Sequence, residues 1–402
     1  MVYNLNKLMI EVTLMQHILY GDGIHDDYPA IQEMLDSLVC EVSLPAPEKC
    51  YVISKTLKIH GGQTFRLPRF AVIRLADKAN CEMIENEDFD SYSENICIDG
   101  GIWDMNHNNQ WPNPYHFPDE NGKYWFEKIG IGYRDWAALS TCKSFIRGAY
   151  TGMCMRFCRV RRFVLKNITF RNPVVYGVHL GYIEDFSVQD IIFDYTEGSP
   201  KLWNMDGVHI EGNCRNGYIA NLKGACHDDL LALTADDILY GPIENIVVDG
   251  IYSEGSHSAV RILSHGVPVK NVTIRNVFGS YYTYCIGITK YHGGDDERGK
   301  IENVTIENLF AETCEGTADV AGGKRPIIWV QKGLDIDGLS ISNARRVEKC
   351  YPTPFLTVDE NVTIKNLRLR DIFQKSELSE PIPLLQIDGD AEITSSENLI
   401  NS

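Results

Sequence analysis

No stretch of this 402-residue chain reaches about 18 consecutive apolar residues, which excludes an ordinary membrane-spanning helix. Basic charge is in deficit: 38 Lys and Arg stand against 55 Asp and Glu, a formal net charge of −17. Phosphate binding needs a basic face, so nucleic acid is not an expected partner. The first twenty residues, MVYNLNKLMIEVTLMQHILY, lack the basic start, clean apolar run and small-residue cleavage site of a secretory leader. A cytoplasmic location is therefore expected, with secretion as the alternative. Cysteine is present, twelve in all, but without the spacing of a disulfide framework. Cys97 and Cys285 lie in strand-like runs, so free thiols in a reducing compartment are expected. Cys154 and Cys158 have no second Cys or His pair at zinc-finger spacing, which argues against a metal there. Helical periodicity is scarce as well.

What the chain has is a recurring phrase, apolar-x-apolar-x-Asn/Asp/Gly-apolar in its clearest copies. It reads VLKNI, SVQDI, YIANL, VVDGI, TIRNV, TIENL, DIDGL and TIKNL, with the Asn/Asp/Gly position at 167, 190, 221, 250, 276, 308, 338 and 366. A second short strand keeps step: GVHL, GVHI, LLAL, AVRI, CIGI, IIWV, FLTV and LLQI. Its central apolar residues Val178, Val208, Leu231, Val260 and Ile286 are 30, 23, 29 and 26 apart. Two strand families sharing one period mark a solenoid. Short strands rich in Val and Ile, joined by polar turns, make it a right-handed parallel β-helix with rungs about 4.8 Å apart. Asn, Asp and Gly suit its corners, because they tolerate left-handed backbone and can stack. The N-x-T triplets at Asn167, Asn271, Asn303 and Asn361 are read as ladder and turn positions rather than glycosylation sites.

The whole chain, 1–402, is expected to form one domain. DDYPAIQEMLDSLVC, residues 26–40, is the strongest helical pattern, with Ala30, Ile31, Met34, Leu35 and Leu38 on one face. It is expected to cap the N-terminal end of the solenoid. Residues 106–138 carry no rung pattern and read as a long loop near a binding site. The tail, 390–402, is expected to fray.

Stacking changes the meaning of NMDGVHIEGNCRNGYIANLKGACHDD, residues 204–229. Asp206 lies two before Val208 and Asp229 two before Leu231, so they share a phase on successive rungs, roughly 5 Å apart. Asp228 occupies the alternate position, and His257, three before Val260, shares its phase. Lys290 follows the next strand but one. His179, His209, Ala232, Arg261 and Gly287 form a neighbouring column. Clustered carboxyls suit glycoside hydrolysis, in which one protonates the leaving oxygen and another activates water. Crowding separates those roles by raising one pKa. The competing reading makes each Asp a corner residue that accepts backbone N–H bonds.

These residues resemble the polygalacturonases, glycoside hydrolase family 28. Asn204-Met205-Asp206 is similar to the family's Asn-Thr-Asp. Asp228-Asp229 is similar to its Gly-Asp-Asp with His227 for the Gly, and Ser256-His257-Ser258 to its Gly-His-Gly. Ile288-Thr289-Lys290 is matched to its Arg-Ile-Lys. YGDGIHDDYPAIQ also resembles the N-terminal segment of β-helix enzymes and phage tailspikes, and the resemblance spans most of residues 20–373. It implies Asp228 as general acid, Asp206 with Asp229 activating water, His257 supporting the acid and Lys290 holding substrate. Asn204, Arg261, His209 and His179 are the further candidate substrate contacts. It implies inversion at the anomeric carbon, without metal or other cofactor, by a monomer or small homo-oligomer acting on a pectin-like or related oligosaccharide or polysaccharide.

Ile288 stands where the family has an Arg for the uronate carboxylate. Arg261 or Arg298 could take that place, or the sugar could be neutral. Asp236 and Asp237, in LTADD, are either a turn after the strand or, with Glu211, part of the real site. Tyr281, Tyr282, Tyr284 and Tyr291 are candidate sugar-stacking faces. Two rival functions stay open: a β-helix polysaccharide lyase using Arg261 or Lys290 with the acids, and a non-catalytic carbohydrate-binding or tailspike-like scaffold.

Overall fold

The computed structural model describes residues 17–118, 121–124, 150–195, 204–291, 297–316 and 324–402. Among them, twenty-five strands join into one sheet wound on itself, a right-handed parallel β-helix. Every pairing between these strands is parallel, as a chain that climbs one rung per turn requires. No helix among the described residues is long and apolar enough to cross a membrane. None of the eleven described cysteines forms a disulfide with another described one.

Val178–Asp194 is one continuous strand, and from Val208 onward each rung holds one short and one long strand. The short ones include Val208–Glu211, Asp229–Thr234, Ser258–Leu263 and Ile286–Thr289. Val178, Val208, Leu231, Val260 and Ile286 follow one another in register, as their spacing predicts. All five are fully buried, and so are Leu180, Ile210, Leu233, Ile262 and Ile288 two residues further on. Alternation sends these inward and the residue between them outward. Burying each such side chain contributes about 1.5–3 kcal/mol, so the apolar columns hold the rungs together.

The long strands, such as Ile243–Ser256 and Val269–Tyr281, turn corners at left-handed residues. All eight repeat positions have positive φ, from 55° at Asn221 to 93° at Gly250. Their side chains also pair along the axis, for example Asn308 Nδ2 to Asn276 Oδ1 at 3.0 Å. A second ladder climbs through Asp185, Asn216, Asn245, Asn271 and Asn303, with bonds of 2.8–3.1 Å. The N-x-T residues Asn271 and Asn303 are rungs of it.

The cap helix is shorter than its sequence pattern, Tyr28–Asp36. Ala30, Ile31 and Leu35 are buried as expected, whereas Leu38 lies past the end at φ 57° and is exposed. Buried Asp27 ties the helix to the first rungs by accepting N–H bonds from Tyr20, Gly21 and Val52 at 2.6, 3.1 and 3.0 Å. The tail corrects an expectation. Asp390–Asn401 is a strand paired in parallel with Thr363–Ser376, because that edge offers unpaired backbone to it. Of the long loop, residues 106–118 and 121–124 are described and contain only a 3₁₀ turn at His107–Asn109. Residues 119–120 and 125–138 lie outside the described part.

Candidate active site

The short-strand stack presents one outward residue per rung at its centre: Arg156, His179, His209, Ala232, Arg261, Gly287 and Trp329. Three residues upstream runs a second column: Tyr176, Asp206, Asp229, Ser258 and Tyr284. Asp206 and Asp229 share that phase because Val208 pairs with Leu231. Gly207, just after Asp206, is needed for this approach: a Cβ there would stand 2.5 Å from both the Leu230 carbonyl oxygen and the Phe193 ring.

The three acids sit in different surroundings. Asp206 is 1% exposed, with Oδ2 2.8 Å from His209 Nδ1 and 4.0 Å from Arg261 Nη2. Burial first, then the charges of Asp228 and Asp229, pushes its pKa well above the usual carboxyl range. Asp229 is fully buried; its Oδ1 accepts from Ser258 Oγ and, at 3.2 Å, from the Tyr284 hydroxyl. Its Oδ2 lies 2.7 Å from Arg261 Nε, an ion pair out of line for a hydrogen bond. Burial outweighs Arg261 and raises the Asp229 pKa too. Asp228 is different: its side chain is 24% exposed, Oδ2 accepts the Asn204 N–H at 3.1 Å, and Oδ1 lies 3.7 Å from His257 Nδ1. His257 is held edge-on between Tyr282 and Tyr284, with ring centroids 5.5 and 5.8 Å away.

Burial works against the charge of Arg261, but Asp229, Tyr284, Asp206 and Asp228 hold it protonated well above its usual pKa. Tyr291 lies 5.7 Å below its guanidinium. Glycine at 287 leaves room for the Tyr284 ring, which a Cβ would meet at 2.7 Å. Tyr284 thereby reaches Asp229, and its ring lies 5.9 Å from Trp329.

Next to the acids lies a second buried group. His179 Nε2 is 2.7 Å from Glu211 Oε2, and His209 Nε2 is 3.1 Å from Thr234 Oγ1. Glu211 Oε1 accepts the Ile238 N–H. Tyr176 stacks on His209 at 4.2 Å and meets His179 edge-on at 5.6 Å. Burial drives the His179 pKa well down and that of His209 down, and raises Glu211 to about 8.

The structure thus gathers Asp206, Asp228, Asp229, His257, Arg261, His209, His179 and Asn204 on one strip. From the loop, His116 Nε2 reaches Asn204 Oδ1 at 2.9 Å. Lys290 stands just past the Ile286–Thr289 strand, where its N–H donates to Gln331 Oε1 at 2.7 Å and its stem lies against Gly333. The match of Ile288 to the family's Arg is out of phase: Ile288 points into the core, and the strip-facing residues of that strand are Gly287 and Thr289. Arg298 cannot replace that Arg, because it is held by Asp335 and Asn361 at 2.7 Å each. Asp236 is a turn residue, accepting N–H bonds from His265, Gly266 and Val267 at 2.8 Å each. Glu211 does join the strip. Tyr281 packs in the core, while Tyr282, Tyr284 and Tyr291 border the strip.

Tyr176, Ser258, Thr234 and Trp329 escaped the sequence reading. The signal for each was the rung period itself: Tyr176 and Ser258 share the phase of Asp206 and Asp229, Thr234 that of Glu211, and Trp329 that of Arg261.

No family model and no curated relative matches the sequence. Solved structures do. The exopolygalacturonase of Thermotoga maritima is 15% identical over 94% of this chain and 89% of its own, with a TM-score of 0.59. The endo-xylogalacturonan hydrolase of Aspergillus tubingensis is 14% identical over 95% and 98%, also at 0.59. The tailspike of E. coli bacteriophage HK620, solved with a pentasaccharide, is 10% identical over 94% and 64%, at 0.60. The chain therefore has the fold of the polygalacturonase-like β-helices, a fold these hydrolases share with a phage tailspike.

Proposed function

We propose that the chain is an inverting glycoside hydrolase acting on a pectin-like or related oligosaccharide. Asp228 is its general acid, and Asp206 with Asp229 positions the attacking water. The observation that carries this reading is the contrast within the triad. Asp228 is open to a sugar and backed by His257 at 3.7 Å, while its two companions are sealed beside it. Burial and the neighbouring carboxylates push the Asp206 carboxyl above the usual range, and burial with Asp228 beside it raises Asp229 despite Arg261. The names of the hydrolases sharing this fold, which act on galacturonan and xylogalacturonan, support the substrate class.

Elimination chemistry fits less well. A lyase base must give up its proton, and Arg261 is paired to Asp229 at 2.7 Å and held charged. The neutral partners on the Ile286–Thr289 strand, Gly287 and Thr289, favour a substrate whose uronate carboxylate, if present, is not read there.

The test is reducing-sugar release from a panel of pectic and neutral oligosaccharides, comparing wild type with Asp228→Asn, alongside binding of the same sugars. Turnover in wild type that disappears in the variant, with binding retained, supports the assignment. Equal turnover in both removes Asp228 from the chemistry. Binding without turnover in either makes the strip a carbohydrate-binding surface.

A further inference from the structure

We propose that His179, His209 and Glu211 form a binding site for one divalent transition-metal ion of the zinc class. This does not rest on the hydrolase reading. Ligand atoms of the three residues lie within 4.8 Å of one another, and all three side chains are buried. They stand on rigid backbone. His179 and His209 are register partners on adjacent rungs, and Glu211 is two residues after His209, on the same face of its strand.

The partners of these residues set which donor atom of each can turn to an ion. His209 gives Nδ1 to Asp206 Oδ2 at 2.8 Å, and its Nε2, 3.1 Å from Thr234 Oγ1, would exchange that hydroxyl for the ion. A carboxylate on the far nitrogen of a ligating imidazole fixes its tautomer and raises its basicity. Glu211 Oε1 accepts the Ile238 N–H, so Oε2 is the oxygen that can turn to an ion. His179 already points Nε2 at that Oε2, 2.7 Å away. Tyr176 holds both rings from one side. Tetrahedral ligation with bonds of about 2.0–2.1 Å separates donors by about 3.3 Å, so the His179–Glu211 pair would part by about 0.6 Å.

Two imidazoles and one carboxylate, with a position left for water, suit zinc and its neighbours rather than calcium or magnesium, which take oxygen cages. The other three-residue group, Asp228, Asp229 and His257, is less suited. There the Arg261 guanidinium already lies 2.7 Å from Asp229 and repels a dication. Arg156, in register with His179, instead lies 3.4 Å from Glu82.

The experiment uses the full chain, stripped with chelator and titrated with Zn²⁺ alone. Bound metal is measured by elemental analysis and calorimetry, and the melting temperature is read with and without Zn²⁺. One ion per chain and a raised melting temperature are expected. His179→Ala and Glu211→Gln should lose stoichiometric binding, while His257→Gln keeps it. Visible absorption of Co²⁺ in place of Zn²⁺ should show nitrogen ligation that vanishes in the His179 variant. No retained ion in wild type, or unchanged binding in both variants, overturns the proposal. So does loss of the ion in His257→Gln with retention in His179→Ala. If His179→Ala does not fold, the wild-type stoichiometry and Glu211→Gln decide.

Discussion

Two sides of this solenoid stack polar side chains at the same spacing, with opposite results. On the long-strand corners, Asn stacks on Asn or Asp, the rungs nearly repeat, and the groups stay at or near the surface. On the short-strand strip no two neighbours repeat their environment. Acid follows acid with a guanidinium beside them, and most of the set is buried. Repetition of neutral groups gives many small, exchangeable contacts. Buried, unlike charges give few contacts of high consequence, because each one compensates another. Neutral stacking is spread along the corners, and buried charge is concentrated on the strip.

The sharpest way to break that comparison is on the strip. Asp228→Asn keeps size and hydrogen-bonding reach but cannot donate an acid proton. Turnover should fall by about 10³-fold, within the range for a positioned general acid, with little change in melting temperature. Initial rates of sugar release and a thermal melt read both. A loss of stability as large as the loss of rate would make Asp228 a corner residue like the rest.

Arg261→Met tests the cost of unbalancing the strip. It removes the guanidinium that lies 2.7 Å from buried Asp229 while keeping much of the volume. Breaking a buried pair on one side costs about 3–5 kcal/mol. Urea unfolding should show a loss of that order, and adding Asp229→Asn should restore part of it, since the two are coupled. Additive losses would mean that the pair does not act as one unit.

How far the sequence carries differs between the two sides for the same reason. The corners were legible because Asn167, Asn221, Asn276 and Asn308 recur with the rung, and all four take the left-handed conformation. The phase of Asp206, Asp228, Asp229 and His257 was legible too, because short-strand register follows from the apolar spacing. What a strip residue does there is set by unlike neighbours one rung away. Lys290 has its N–H on Gln331 Oε1, 41 residues away, a contact that no spacing announces. The match at Ile288 failed on pleat parity: one residue of slip exchanges core for strip. The His179–Glu211 contact spans 32 residues, so no metal-ligand spacing rule could reveal it.

Asp236 lies between the two sides in character, a buried charge used as a corner. Burial raises its pKa, but the His265 side chain and the N–H groups of Val267 and His265 outweigh that and hold it below the usual 3.8. A carboxyl depressed in the folded state stabilises fully above its unfolded pKa, and that contribution is lost as pH falls through the folded value. Asp236→Ala should therefore cost about 2 kcal/mol at pH 6, and the gap to wild type should narrow below about pH 4. Chemical unfolding at pH 6 and pH 3.5 measures it; a gap that widens on acidification would contradict the assignment.

The smallest effect belongs to the ladder. Asn308 has φ 56°, donates to Asn276 at 3.0 Å and accepts from Asn343 at 2.8 Å. Asn308→Ala loses both bonds and places a Cβ in left-handed backbone, at a cost of about 1–2 kcal/mol. Asn308→Gly loses the same bonds but relieves the backbone, so it should cost about half as much. The difference between the two substitutions isolates the conformational part from the stacking part. If the ladder is a sum of exchangeable contacts, Asn308→Gly combined with Asn245→Gly, which sits in the other ladder, should cost the sum of the singles within about 0.5 kcal/mol. Coupling as strong as that expected between Arg261 and Asp229 would show that the corners, like the strip, work as one connected network.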